Sequence, residues 1–330
     1  MTPPITPGLD APAISVVICA YTLDRWDDLA RAVASVQAQT LAAHETIVVI
    51  DHNDALRHRA TEELAAVRVT ENTGRRGLSD ARNAGVRAAT GSVIAFLDDD
   101  ATAAPDWLAL VARRYDDADV MGVGGSAEPE WPHDARPRWF PEEFDWVVGC
   151  SYRGMPTSSA PVRNFLGCNM SFRRAAFELA GEFDPAVGRV GNRPVGCEET
   201  EFCIRLARRA PGHSLIYEPM ARVRHRVPPA RTSARYFRAR CFSEGLSKAV
   251  VSELAGGQSA LGVELRYTLR TLTSGVARNL AQTVTRRDPM GPVRAAAIIG
   301  GLAFTTAGYV SRRVLPRTGR AGPISESASP

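Results

Sequence analysis

Three continuous runs of apolar, mostly β-branched residues constrain the fold of this 330-residue chain more than any other feature. They are ISVVIC at 14–19, TIVVI at 46–50 and SVIAFL at 92–97, and a stretch with helical periodicity follows the first of them directly. Strands without polar alternation are typical of a sheet that is covered on both faces. Strands that alternate with helices predict an α/β fold in which helices flank a mixed, mainly parallel sheet.

Acidic residues follow two of these strands. Asp51 comes directly after TIVVI, and SVIAFL ends in Asp98, Asp99 and Asp100. Because ligands of a doubly wound sheet bind at the carboxyl ends of its strands, we expect these carboxylates to lie beside a ligand. We predict further strands at 67–70 and 120–124 and helices at 26–39, 79–89 and 105–115.

Cysteine usage and the N-terminus indicate a cytoplasmic protein. The six cysteines form no CxxC pair, so they predict neither a zinc site nor a disulfide framework. Residues 1–13 lack the basic and apolar regions of a secretory signal, and we interpret them as a flexible leader. A reducing compartment fits both observations.

The C-terminal region is basic and partly apolar. From Glu264 onward the chain has ten arginines and three acidic residues. This basic tail has no interleaved aromatics and no zinc or helix-turn-helix spacing, so the expected partner is the inner face of the cell membrane and not nucleic acid. Residues 293–310 are apolar but short for a membrane span. A helix that lies on the membrane or packs on the protein is at least as good an interpretation.

The run from Asp98 to Asp100 is a candidate metal site. Three carboxylates after a buried strand repel one another unless a cation neutralises them, and Mn²⁺ or Mg²⁺ prefers such oxygen ligands. Alternatively, one aspartate caps the next helix and the others are solvated. His225, in VRHRV, is either a further metal ligand or an ordinary core or surface histidine.

Two predicted helix starts carry candidate binding and catalytic residues. The run GLSDARNAG places Asp80 and Arg82 where backbone N–H groups and a guanidinium attract a phosphate, although an Asp80–Arg82 ion pair on a surface helix is the alternative. The run GCEETEF places Glu198 and Glu199 in a first helical turn. One of these glutamates could deprotonate a hydroxyl group, or both could only complement the helix dipole.

In this order the motifs resemble those of the family-2 glycosyltransferases. The resemblance covers about residues 14–250 and rests on VVICAYT, Asp51, RRGLSDARNAG, FLDDD, FLGCNMSFRR, GEFDPAVG and CEETEF. It implies a GT-A fold, which has a Rossmann-like sheet flanked by helices. It also implies a nucleotide-sugar donor and a divalent cation.

On the donor side, the resemblance implies that Asp51 contacts the nucleotide base and that Arg82 and Asp80 lie near the base or the ribose. The other residues expected to contact the nucleotide sugar are Ala20, Tyr21, Thr22, Asp98, Asp99 and Asn169. The expected donor is a uridine diphosphate sugar.

On the catalytic side, the resemblance implies that Asp98 and Asp100 hold the Mn²⁺ or Mg²⁺ that bridges the donor's phosphates, with His225 beside them. The family's acidic pair most often reads Glu-Asp, and here it reads Glu198-Glu199. The expected base is Glu199, which sets its carboxylate one methylene farther from the backbone. The implied reaction is a single displacement that inverts the anomeric carbon.

The motifs and composition together predict the domain organisation. We expect a GT-A domain at 14–250, with a nucleotide-binding half at 14–125 and an acceptor half at 126–250. A helical basic and apolar appendage at 251–315 and a disordered tail at 316–330 complete the chain. Within the acceptor half, residues 128–163 lack periodicity and are rich in Pro, Trp and Gly, so we predict a long loop.

The expected function is transfer of a sugar to a glycan, a polyprenyl-linked saccharide or a small molecule, in polysaccharide or glycoconjugate biosynthesis. A catalytically silent nucleotide-sugar-binding module of a membrane complex is the alternative. A dinucleotide-binding oxidoreductase is disfavoured because VVICAYT, and not GxGxxG, stands at the first strand.

Overall fold

The computed structural model describes residues 11–187, 196–254, 267–285 and 287–314. Its strands are β1 (Ile14–Ala20), β2 (Glu45–Ile50), β3 (Arg68–Glu71), β4 (Val93–Asp98), β5 (Ala101–Ala103), β6 (Val120–Glu130), β7 (Ala160–Pro161), β8 (Asn169–Arg173) and β9 (Ser214–Arg226). Its α-helices are α1 (Trp26–Gln37), α2 (Asp54–Glu63), α3 (Leu78–Ala88), α4 (Trp107–Arg114), α5 (Arg174–Ala180), α6 (Glu198–Arg209), α7 (Ala234–Leu254), α8 (Thr273–Thr285) and α9 (Gly291–Val314). Most of the predicted leader (1–10), part of the predicted appendage (255–266, 286 and 315) and the whole predicted tail (316–330) lie outside the described residues.

The described strands form one mixed sheet in the order β3-β2-β1-β4-β8-β6-β9-β5, and β7 pairs with β9. Pairing is parallel between β3, β2, β1 and β4 and between β6 and β9. The remaining neighbours are antiparallel. The predicted α/β fold with a mixed sheet and flanking helices is therefore confirmed, and half of the strand pairs are parallel.

Strand register brings the acidic residues to one edge. Ala20 of β1 is opposite Ile50 of β2, and Cys19 is opposite Asp98 of β4. Successive side chains of a strand alternate between the two faces, so β1 packs Val16 and Ile18 into one core cluster and Val17 into the other. The strand ends are thus held by core packing on both faces.

The helices α2, α5 and α7 were not predicted from the sequence. The helix α2 buries only Leu56 and Ala60, so its apolar periodicity is weak. Its start is fixed locally, because the side chain of Asn53 accepts a hydrogen bond from the backbone N–H of Leu56 at 3.0 Å.

The predicted loop at 128–163 is more ordered than its sequence indicates. β6 continues to Glu130, and 3₁₀ turns at Pro132–Asp134 and Glu142–Val148 follow. Three aromatic rings of this segment, those of Trp131, Phe140 and Phe144, join a third core cluster with Phe237 of α7 and Ile298 of α9. The segment therefore packs the C-terminal helices against the sheet domain.

The C-terminal helices pack closely through glycines. A β-carbon on Gly245 of α7 would overlap the carbonyl oxygen of Thr305, and one on Gly308 of α9 would overlap that of Phe242. The length and apolar composition of α9 are also sufficient for a helix that crosses a membrane. α7 runs through residue 250, where the sequence predicted a domain boundary.

Candidate active site

A cavity of about 1610 Å³ opens at the carboxyl edge of the sheet. The sequence-predicted residues that line it are Ala20, Tyr21, Thr22, Asp51, Arg82, Asp98, Asp99, Asp100, Glu198, Glu199 and His225. Residues of α7, of the π-helical turn Tyr267–Leu272 and of α9 also line it. The core of the predicted site is therefore contiguous in space.

Asp98, Asp100 and His225 form a compact cluster in which one possible ligand atom from each lies within 4.8 Å of the others. Register explains this, because Ala101 of β5 is opposite His225 of β9. His225 Nε2 lies 3.2 Å from Asp100 Oδ1. Burial lowers the pKa of His225, but the Asp100 carboxylate outweighs it and holds the pKa well above its ordinary value. Burial raises the pKa of Asp100, but the neighbouring His225 outweighs burial and holds this pKa below its ordinary range.

Asp99 is the buried member of the acidic run. Its Oδ1 accepts a hydrogen bond from Arg25 Nη1 at 2.9 Å, and the same nitrogen lies 3.1 Å from Asp100 Oδ2. Burial, reinforced by the Asp100 carboxylate, raises the pKa of Asp99 to about 7. Asp99 Oδ2 is buried and has no hydrogen-bond partner among the described residues.

The chemistry of this donor set fits a hard divalent cation. Two carboxylates and one imidazole converge, and the unsatisfied Asp99 oxygen shows that local cations do not saturate the acidic run. Mn²⁺ and Mg²⁺ take carboxylate oxygens, and imidazole is a common additional ligand of transition metals. Asp98, Asp100 and His225 are thus the candidate metal ligands, as predicted.

Asp51 is fixed at the other side of the cavity. Its Oδ1 accepts a hydrogen bond from Asn72 Nδ2 at 2.7 Å, and its Oδ2 accepts one from the backbone N–H of Gly77 at 3.0 Å. Tyr21 is exposed next to it on β1's carboxyl end, with the Arg25 guanidinium 5.5 Å from its ring centroid. An aromatic ring and an oriented carboxylate provide the stacking and hydrogen-bonding groups that a nucleobase requires.

Arg82 connects the acidic run with the first turn of α6. Its side chain is buried, and Nη1 donates to Glu198 Oε1 at 2.7 Å. Nη2 donates to the Gly167 carbonyl at 2.9 Å and lies 3.3 Å from Asp98 Oδ1. The predicted Arg82–Asp80 ion pair is therefore absent from these contacts, and Arg82 bridges two carboxylates of the site.

Glu199 remains available beside this ion pair. It is half-buried, and Thr200 Oγ1 donates to its Oε1 at 3.2 Å. Within the described ranges, no lysine or arginine lies within ion-pair distance of it. Burial, together with the Glu198 carboxylate, raises the pKa of Glu199 to about 7. Cys197, the residue before α6, adopts a φ of 93°, a strained conformation of the kind that occurs at functional sites.

Two predicted donor-binding residues do not line the cavity. Asp80 Oδ2 accepts a hydrogen bond from the backbone N–H of Arg75 at 2.9 Å, so this carboxylate holds the loop before α3. Asn169 is buried, and its amide is occupied by Trp107 Nε1 at 2.8 Å and by the carbonyl oxygens of Ser126 and Ala221. The structure gives both residues scaffold contacts instead.

Arg25 and Gly149 were not predicted from the sequence as residues of the site. Arg25 lies 74 positions from Asp99 and carries no motif, so no sequence signal could pair them. Gly149 has a φ of +87°, and a β-carbon there would lie 3.1 Å from the His225 ring. The glycine therefore permits both the turn and the close approach of His225.

The mixed sheet and its acidic carboxyl edge are those expected of an α/β enzyme that binds a nucleotide sugar. Sequence comparison gives the family. The profile described as Glycosyl transferase family 2 matches residues 15–180. The glucosyl-dolichyl phosphate glucuronosyltransferase of Haloferax volcanii is 37% identical over 73% of this chain and 78% of its own length. Succinoglycan biosynthesis protein ExoM of Rhizobium meliloti is 27% identical over 70% of this chain and 72% of its own. The chain belongs to glycosyltransferase family 2.

Solved structures agree on the fold. The mannosyltransferase PcManGT from Pyrobaculum calidifontis, in complex with GDP-Man and Mn²⁺, aligns with a TM-score of 0.56 at 16% identity and covers 89% of this chain and 87% of its own. GalNAc-T7 with UDP, GalNAc and Mn²⁺ aligns with a TM-score of 0.51 at 20% identity over 75% of this chain and 54% of that one. The resemblance to the GT-A fold is confirmed.

Proposed function

We propose that this glycosyltransferase moves a sugar from a uridine diphosphate sugar to an acceptor hydroxyl group with inversion at the anomeric carbon. The observation that carries the proposal is the placement of the Asp98–Asp100–His225 cluster and the Glu199 carboxylate on one cavity. A glycan, a lipid-linked saccharide or a small molecule is the acceptor.

The donor half of the cavity is the acidic edge of the sheet. Asp51 and the ring of Tyr21 hold the nucleobase, and Ala20 and Thr22 shape the wall beside it. Asp98, Asp100 and His225 would hold Mn²⁺ or Mg²⁺. When bound, such an ion offsets the negative charge that develops on the leaving diphosphate.

The residues of α6 carry the proton transfer. Glu198 is neutralised by Arg82, so Glu199 is the carboxylate that takes the proton from the acceptor hydroxyl. A pKa near 7 suits a base that must accept a proton at neutral pH. The deprotonated oxygen attacks the anomeric carbon, and the nucleoside diphosphate leaves from the opposite side, so an α-linked donor gives a β-linked product.

We also propose a cytoplasmic location at the inner face of the cell membrane. α8 exposes Leu280 and Val284, and α9 exposes Val293, Ile299 and Val310. Neither helix contains an acidic residue. An apolar face with arginines beside it supports peripheral contact with an anionic lipid surface.

Product analysis tests the reaction. Purified protein is incubated with UDP-, GDP- and dTDP-sugars, Mn²⁺ and a membrane extract as acceptor source, and the anomeric configuration of the product is read by NMR. A β-linked product from one α-linked UDP-sugar is the expected result. An α-linked product would overturn inversion, and tight donor binding without turnover would favour the silent binding module.

A further inference from the structure

The cavity does not end at Glu199 but continues between the C-terminal helices. Its lining residues there include Arg240 and Lys248 of α7, Arg270 of the π-helical turn Tyr267–Leu272, and Leu302 and Tyr309 of α9. Neither the acidic edge nor the proposed base uses these side chains. Among the described residues, these side chains therefore form a part of the cavity that is separate from the proposed donor and base residues.

Arg240 is the residue at this end that most clearly requires a ligand. Its side chain is only 11% exposed, and its guanidinium lies 5.9 Å from the ring centroid of Trp146. Glu244 Oε2 lies 3.0 Å from Nη1. Arg240 Nε is buried and has no hydrogen-bond partner in the described part of the chain. Since a buried donor without a partner is unfavourable, an acceptor atom from a bound molecule would relieve it.

The charge of this end favours an anion. From α7 onward, the described lining residues include the cations Arg240, Lys248 and Arg270, and Glu244 as the acid. Guanidinium groups bind phosphate oxygens through paired N–H donors, which suits the position of Arg240. Arg240 pairs with Glu244 of its own helix, whereas Asp98 pairs with Arg82, and Asp100 pairs with Arg25 and His225. An anion on Arg240 would therefore be separate from a diphosphate at the metal cluster.

The wall beside these cations is apolar. Val251 of α7, Leu272 of the π-helical turn and Leu302 of α9 line it. A ligand that matches this end carries an anionic group for Arg240 and an apolar portion for the helices. A saccharide linked through phosphate to an isoprenoid chain has both groups, whereas a neutral glycan has neither.

We propose that this end of the cavity is an acceptor subsite in which Arg240 binds the phosphate group of a phosphate-linked acceptor, and that Lys248 assists it. The proposal rests on the proposed glycosyltransferase reaction and specifies its acceptor class. In this subsite the phosphate lies beside α7, and the terminal sugar of the acceptor extends to Glu199 in the same cavity.

Acceptor kinetics test the subsite. Transfer is measured at saturating donor and Mn²⁺ with three matched acceptors that carry the same sugars: polyprenyl phosphate glycolipids in detergent, water-soluble sugar 1-phosphates, and alkyl glycosides without phosphate. The variants are Arg240→Gln, Lys248→Gln and, as a matched control on the exposed side of the same helix, Arg238→Gln. Thermal unfolding of each variant verifies folding.

The subsite predicts that Arg240→Gln raises the acceptor KM at least tenfold for both phosphate-bearing acceptors, and Lys248→Gln less. The KM for alkyl glycosides and for the donor stays unchanged, as does every parameter of Arg238→Gln. A preference for the glycolipid over the sugar 1-phosphate assigns the phosphate to a lipid, and equal use assigns it to a soluble acceptor.

Two results would overturn the subsite. One is a raised donor KM in Arg240→Gln, which would assign the arginine to the donor diphosphate. The other is an equal effect on acceptors with and without phosphate. Transfer to any of the three acceptors separates the phosphate subsite from the reaction itself. Transfer without phosphate dependence keeps the glycosyltransferase reaction and removes the subsite, whereas no transfer from any donor to any acceptor removes both.

Discussion

At the scale of single residues, the site depends on how its carboxylates are paired. Glu198 and Glu199 are adjacent in sequence, yet Arg82 neutralises the first, and no described cation is within ion-pair distance of the second. Residue types at strand ends and helix starts were enough to predict the carboxylates. Their pairing was not predictable, because Arg82 and Glu198 are 116 positions apart and meet only in the folded chain.

The raised pKa of Glu199 predicts a pH dependence. Below its pKa of about 7 the carboxylate is protonated and cannot accept a proton, so activity falls as the pH decreases through 7. We expect the acidic limb of kcat/KM, measured at saturating Mn²⁺, to have an apparent pKa near 7. Glu199→Gln should lower kcat by about 10²–10⁴-fold.

A matched glutamate controls for this effect. Glu201 lies on the same turn of α6 but pairs with Arg205 at 2.7 Å. Glu201→Gln should therefore keep both the acidic limb and kcat. An unchanged acidic limb in Glu199→Gln, or its loss in Glu201→Gln, would refute Glu199 as the base.

At the scale of elements, the buried apolar strands were predicted best. β1, β2 and β4 are continuous apolar runs, and each of their observed ends lies within one residue of the predicted one. The strands β5, β7, β8 and β9 lack such runs and were not predicted. α2 was missed because it buries two residues only. The ordered segment after β6 was missed because its aromatic residues pack against α7 and α9, which are distant in sequence.

Glycine contacts between α7 and α9 predict a stability effect. Gly308 of α9 faces the backbone of α7, so Gly308→Val should push the helices apart and lower the free energy of unfolding by about 1–3 kcal/mol. A β-carbon on Gly300 of the same helix would meet no atom within 4 Å, so Gly300→Ala should raise stability by about 0.5–1 kcal/mol.

Chemical denaturation of the two variants and the wild type measures the difference. Stabilisation by both substitutions would show that helix propensity, and not the contact with α7, decides the effect. An unaffected Gly308→Val would show that α9 does not pack on α7.

At the scale of the whole molecule, one helix has two different environments. The side of α9 with Leu302 and Tyr309 lines the cavity, while Ile299 and Val310 are exposed. The sequence indicated an apolar, basic segment but left open whether it spans a membrane, lies on one or packs on the protein. The burial of each side of α9 decides part of this question. It was not predictable, because burial depends on neighbouring elements that the sequence does not reveal.

The exposed face predicts binding to anionic vesicles. The full chain should cosediment with phosphatidylglycerol vesicles, less so at high salt, and alkaline carbonate should release it. Ile299→Glu with Val310→Glu should weaken binding at least tenfold. Leu179→Glu, at an exposed position of α5, is the control and should bind like the wild type. Equal binding to neutral vesicles, or carbonate resistance, would contradict peripheral contact.

The account depends most on the Asp98–Asp100–His225 cluster as the metal site of a nucleotide-sugar transferase. The most direct measurement is the release of nucleoside diphosphate from the preferred donor with Mn²⁺ and with EDTA, in the wild type, in Asp100→Ala and in the exposed control Asp116→Ala. We predict turnover that requires Mn²⁺, is nearly abolished in Asp100→Ala and is unchanged in Asp116→Ala. Equal turnover in EDTA, or full activity of Asp100→Ala, would contradict the account.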